Sequence, residues 1–171
     1  MHFEILTLRV LHVLSGIFWM GSGLFTSLFL LPALTLAGSP PGPLFAALSK
    51  KRHFAALPAA AAVTVLSGLR LMWITSGGSF AAYVATSVGR TFALGGAAAI
   101  AAFVVSAVFA RPSSQRAGAI GATLGTLAGD ERARAAAEMA RLQRRGALAS
   151  RFSLIFMLLA GTAMAVARYV A

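Results

Sequence analysis

The sequence predicts an all-α integral membrane protein: a four-helix bundle with a cytoplasmic amphipathic helix between its third and fourth helices. Three observations carry that prediction. Four apolar runs are each long enough to cross a bilayer, which takes roughly 20 residues of helix. Of the 171 residues, 58% are hydrophobic and 11% charged, and the mean hydropathy is +0.82. A soluble domain of this size has too little interior to hide so much apolar surface. The runs are also uninterrupted, whereas barrel strands would alternate apolar with polar residues. The whole chain, 1–171, reads as one transmembrane domain.

The first span is expected from about Ile5 to Leu31. Glu4 stands just before it, Arg9 near its start and His12 and Trp19 within it, and the run is too long and too decorated for a cleaved signal segment. Pro32 and the Pro40-Pro41-Gly42-Pro43 stretch are expected to end it. The basic stretch Lys50-Lys51-Arg52 precedes a second span, about Phe54 to Thr75, with Pro58 as a kink site that Thr64 helps to satisfy. Ser76-Gly77-Gly78-Ser79 reads as a turn. A third span, about Val88 to Ala110, closes at Arg111-Pro112. The fourth, about Ala147 to Val170, ends with Tyr169 at an interfacial level.

Between the third and fourth spans, Gly118 to Gly129 is rich in Gly, Ala and Thr and reads as a surface segment. Asp130 to Arg145 has the pattern of an amphipathic helix. Asp130 is placed to cap it. Glu131 with Arg134, Arg134 with Glu138, and Glu138 with Arg141 have helical pair spacing, and Met139 and Leu142 fall on another face. No internal repeat is evident.

The net charge is +11, from 15 Lys and Arg against four acids. With no nucleic-acid motif, lipid attraction and topology are the better explanation. In an alternating four-span arrangement, eleven basic residues fall on the side of the loops after the first and third spans. Arg9, Arg70, Arg90 and Arg168 fall on the other side. The positive-inside rule then puts both termini outside. Cys is absent, which removes disulfides and thiolate metal sites. No carboxylate falls within a predicted span, which argues against an acidic proton relay or cation path.

At about 1.5 Å rise per residue, His12 lies about 10 Å below the outer end of the first span. Arg70, Arg90, Met72 and Met164 fall in the same outer third. His12, Gly16, Trp19 and Gly23 are spaced four, three and four, making one stripe, flanked by Ser15, Ser22 and Thr26. An imidazole, two guanidiniums and glycines at one level suit a b-type haem. His12 would ligate the iron, with Met72 or Met164 as an optional further ligand. Arg70 and Arg90 would pair with propionates. Gly16 and Trp19 would line the ring.

Each residue also has a plainer reading. His12 could tie two spans together, Arg70 and Arg90 could snorkel to the surface, and Trp19, Met72 and Met164 could be packing. His53, beside the basic stretch, reads as interfacial.

The segment Leu11-His12-Val13-Leu14-Ser15-Gly16-Ile17-Phe18-Trp19-Met20-Gly21 resembles the first-helix signature of small multi-span bacterial membrane proteins. These are the copper-resistance D domain (CopD-like) group and the HemJ-type protoporphyrinogen oxidases. Pro58, Thr64 and Gly68-Leu69 are similar to the second helix of the HemJ type. The close Met164-Ala165-Val166-Ala167-Arg168-Tyr169 is similar to that of uncharacterised relatives. The resemblance implies a bacterial inner-membrane location and, for the HemJ type, haem-dependent oxidation of protoporphyrinogen using a first-helix His and a Lys early in the third helix. His12 matches the former. Arg90 is the nearest match to the latter, and Arg is a poor acid or base. The CopD-like group implies copper uptake, for which thioether and imidazole suit copper(I). A cofactor-free accessory subunit is the third expectation. Expected partners are the lipid bilayer and a redox partner or second copy, with no nucleic acid.

Overall fold

The computed structural model describes residues 2–38, 44, 47–48 and 51–170, apart from the side chains of 35, 53 and 54. Pro40-Pro41-Gly42-Pro43, Lys50 and the His53 side chain therefore lie outside the described residues. All regular structure among the described residues is helical. Four helices are long and apolar enough to cross a membrane: His2–Leu34, Ala55–Thr75, Ser87–Thr126 and Gly129–Tyr169.

Helix α1 (His2–Phe25) continues through a π-helical turn, Thr26–Leu30, into α2 (Leu31–Leu36). Pro32, expected to end the first span, does not. A proline has no N–H and its ring collides with the carbonyl four residues back in a regular helix. The wider turn relieves that collision, with the Leu31 N–H bonded five residues back to Thr26. The same device recurs at Pro112. A π turn, Ser106–Ala110, joins α5 (Ser87–Val105) to α6 (Arg111–Thr123), with the Arg111 N–H bonded to Ser106. The third helix thus runs on past the expected stop at Arg111-Pro112.

Helix α3 (His53–Thr75) keeps Pro58 within it and ends in the expected turn, where Gly77 and Gly78 take φ of 59° and 82°. Short α4 (Phe80–Ala85) leads to α5, capped by Thr86, whose side chain accepts from the Gly89 N–H. The largest departure is α7, one helix from Gly129 to Val166, 38 residues. The charged segment and the fourth span are continuous because Ala, Arg, Glu, Leu and Gln are all good helix formers and no proline follows Pro112. Its N-cap is Ala128, with no side-chain cap bond. Asp130 and Glu131 lie instead in the first turn, where the helix dipole favours them.

The segment from Gly118 onward is helical to Thr123 and then turns through Leu124–Thr126. Gly129 enters α7 at φ 53°. Helix α6 doubles back on α7. A Cβ on Gly146 would meet Ser113 at 3.4 Å, and one on Gly121 would meet the Met139 sulfur at 3.5 Å. Leu142 is buried in this contact. The apolar face of the amphipathic stretch is thus covered by α6. Of the three charge pairs anticipated on it, Glu138–Arg141 forms among the described residues, at 2.9 Å.

The bundle consists of two antiparallel hairpins, α1 with α3 and α5–α6 with α7. They meet in a layer to which every span contributes: Trp19, Ala61, Ala102, Leu154 and Met157. Helix α7, about 57 Å long at 1.5 Å per residue, exceeds the roughly 30 Å of a hydrocarbon core. The arginine-rich α6–α7 end is therefore long enough to leave the bilayer.

Candidate functional site

His12 occupies the seam between α1 and α3. A Cβ on Gly68 would lie 2.8 Å from His12 Cε1 and 3.1 Å from Nδ1, so the imidazole rests on α3 where a side chain is missing. Gly16, one turn along, faces Thr64: a Cβ there would be 3.5 Å from the Thr64 methyl. These two glycines let α1 and α3 come close enough for side-chain-to-backbone bonding.

His12 Nδ1–H donates to the Thr64 carbonyl oxygen at 2.8 Å, with the Ser67 hydroxyl 3.4 Å from the same nitrogen. A carbonyl only accepts, so this bond assigns a proton to Nδ1, and in the neutral ring the lone pair is then on Nε2. Among the described residues Nε2 has no hydrogen-bond partner, and no buried side-chain nitrogen is left unpaired. Nε2 is therefore reachable from outside the protein packing. Fixing one ring nitrogen on a backbone carbonyl is how metal-ligating histidines are commonly oriented.

The surrounding hydroxyls are shared. Ser15 bonds the Leu11 carbonyl and Thr64 the Ala60 carbonyl, and the two hydroxyls lie 2.8 Å apart. Two protons serve three contacts, so at any moment one contact lacks its proton. Thr64 and Ser67 are buried.

The other anticipated residues separate. Arg70 reaches outward to Glu4, with Nε at 3.0 Å and a terminal nitrogen at 2.7 Å from one carboxylate oxygen. This ion pair is half exposed. Arg90 is exposed in the first turn of α5 and forms no ion pair among the described residues. Trp19 is buried in the central layer, edge-on to Phe103 at 6.5 Å. The Met72 and Met164 methyl groups sit against Gly96 and Gly95 of α5, filling space that glycine leaves, as methionine does well. His12 and Gly16 are thus brought together with Thr64, Ser67 and Gly68. Arg70 stands above them on α3, engaged with Glu4.

The sequence reading did not single out Ser67 or the pairing of Arg70 with Glu4. The signal for the former was available: Ser67 and Gly68 lie three and four residues after Thr64, so they share the face that His12 meets. The latter joins residues 66 apart in sequence and needed the antiparallel register. Among the described residues no group of three His, Asp or Glu side chains could hold a metal ion. Comparison with family models, with curated proteins and with solved structures finds no match to this chain.

Proposed function

We propose that the chain is a multi-pass membrane protein of the bacterial inner membrane, with both termini on the outer face, in which His12 presents Nε2 as a ligand to a b-type haem used for electron transfer. The carrying observation is the 2.8 Å bond from Nδ1 to the Thr64 carbonyl, which holds the ring and leaves Nε2 unpartnered. The orientation is supported by the eleven basic residues grouped on one side of the spans.

The residues fit a one-histidine ligand set. His12 would hold the iron, Gly16 and Gly68 keep the seam narrow, and Ser67 and Thr64 hold the imidazole in one tautomer. Haem, when bound, would supply a one-electron couple. Arg70 could turn from Glu4, where both its nitrogens share one carboxylate oxygen, to a propionate that it could bind bidentately. Electron transfer is favoured over porphyrin oxidation because the guanidiniums at this level are poor proton acceptors. Copper handling, the alternative, would need thioethers beside the imidazole, and the Met72 and Met164 tips are engaged on α5.

A second reading draws on the same bond: His12 is a structural tie between α1 and α3. An absorption spectrum of protein purified from haem-supplied cells separates the two. Haem ligation predicts a Soret band that His12→Ala abolishes. A colourless wild-type protein whose thermal midpoint falls in His12→Ala supports the tie and overturns the haem.

A further inference from the structure

At the opposite end from His12, the apolar and arginine-rich parts of α7 meet at Arg145. Its guanidinium carbon stands 5.5 Å above the Phe109 ring, within cation–π range. Among the described residues Arg145 has no carboxylate within ion-pair distance and its side-chain N–H groups make no hydrogen bond. Two hollows flank it. One, of about 290 Å³, is lined by Val105, Phe109, Ala149, Phe152 and Phe156 with Arg145 at its rim. The other, of about 320 Å³, places Arg116 and Ser113 near the same guanidinium.

The order of residues along this face is informative. Arg145, Ala149, Phe152 and Phe156 are spaced four, three and four, one stripe running from charge to hydrocarbon. Phe152 and Phe109 are exposed. Arg116 lies within electrostatic reach of Glu138, but that carboxylate is already bonded to Arg141. An occupant must therefore be anionic at one end and apolar along its length, and must lie where the apolar span ends. A nucleic acid or an acidic peptide would not use the phenylalanines.

We propose that Arg145, assisted by Arg116, anchors the phosphate of an anionic glycerophospholipid whose acyl chain lies along Phe152 and Phe156. The proposal rests on the membrane reading above and is independent of haem. The planar guanidinium offers its in-plane N–H groups to a phosphate bidentately, and basic pockets between spans on the cytoplasmic side suit such headgroups.

The test uses the full chain in dodecyl maltoside, titrated with phosphatidylglycerol, phosphatidylcholine or inorganic phosphate and read by native mass spectrometry. Flotation with vesicles of each lipid runs in parallel. The expected result is retention of phosphatidylglycerol over phosphatidylcholine, no displacement by millimolar phosphate, and a loss of about tenfold in affinity for Arg145→Gln, the equivalent of one charge-assisted contact. Arg145→Lys, which keeps the charge and loses the fork, should fall between. Arg134→Gln, which removes a charge elsewhere on α7, should leave retention unchanged. Equal losses in Arg134→Gln and Arg145→Gln, or displacement by phosphate, overturn the site while leaving the membrane reading intact. Failure to float with either vesicle overturns both.

Discussion

The two hairpins solve the same packing problem with opposite degrees of closure. In each, the odd-numbered span carries a π turn with a proline two residues after its end, Pro32 or Pro112. In each, hydroxyls bridge the helices. Between the third span and α7, Ser106 of the π turn donates to Ser153 at 2.7 Å and Ser153 donates to the Ala102 carbonyl of α5 at 3.1 Å. Both protons are used and nothing polar is left over. Between α1 and α3, Ser15 and Thr64 have more acceptors than protons, and the imidazole beside them keeps one nitrogen unpartnered. The closed seam holds the bundle together. The open seam keeps a ring nitrogen of His12 without a hydrogen-bond partner among the described residues.

The comparison can be broken most forcefully at glycine. On Gly95 of α5 a Cβ would meet the Ala163 Cβ at 3.0 Å, the Met164 methyl at 3.3 Å and the Ala160 carbonyl at 3.4 Å. Two of these three are a short side chain and backbone, which cannot swing away. Gly95→Ala should therefore destabilise by about 2–3 kcal/mol, the upper range for overpacking. A thermal midpoint equal to wild type in detergent would show that the α5–α7 seam is not tight. On Gly68 the clash is with the His12 ring alone, which can rotate away if it gives up the Thr64 carbonyl. Gly68→Ala should cost less, about 1–2 kcal/mol. Its effect should largely vanish in a His12→Ala background, because the two share one space. Additive midpoints in the double variant would mean that the ring does not rest on Gly68.

How much of this was legible in the sequence differs between the hairpins for physical reasons. Apolar length alone identified four spans, and the stripe His12, Gly16, Trp19, Gly23 does face inward: Gly16 onto Thr64, Trp19 into the central layer, Gly23 onto Met157. Hydropathy also separated Ala147 from the charged residues before it, yet the backbone does not register that boundary. Helix propensity, not polarity, decides whether α7 continues. The prolines misled for a related reason: a five-residue π turn absorbs the ring collision, and nothing in composition announces it. Arg70 and Arg90 shared a predicted depth, but depth along separate helices says nothing about the direction in which a long side chain leaves. Arg70 went outward to Glu4.

The hydroxyl bridges sharpen the comparison at smaller amplitude. Ser153→Ala removes an acceptor from Ser106 and a donor from the Ala102 carbonyl. It should lower stability by about 0.6–1.7 kcal/mol, the range for polar contacts between membrane helices. Ser15→Ala should be nearly silent, since Thr64 retains the Ala60 carbonyl. Equal losses at the two positions, measured as thermal midpoints, would erase the distinction between a closed and an open seam.

The smallest expected effect belongs to the charged end of the second hairpin. The Arg141 hydrogen bond, then the charges of Arg141 and Arg116, hold the Glu138 carboxyl below its ordinary value. A carboxyl depressed in the folded state contributes stability above its unfolded pKa, and that contribution fades as pH falls through the lowered folded value. The pair is solvent-exposed, so the gain is small and screened by salt. Wild type and Glu138→Gln should therefore differ slightly in midpoint near neutral pH and converge in acid, with the neutral difference shrinking at high salt. A difference that grows on acidification would mean that Glu138 is not held charged by its neighbours. The arginines of α6 and α7 would then be acting on one another rather than on a shared acid.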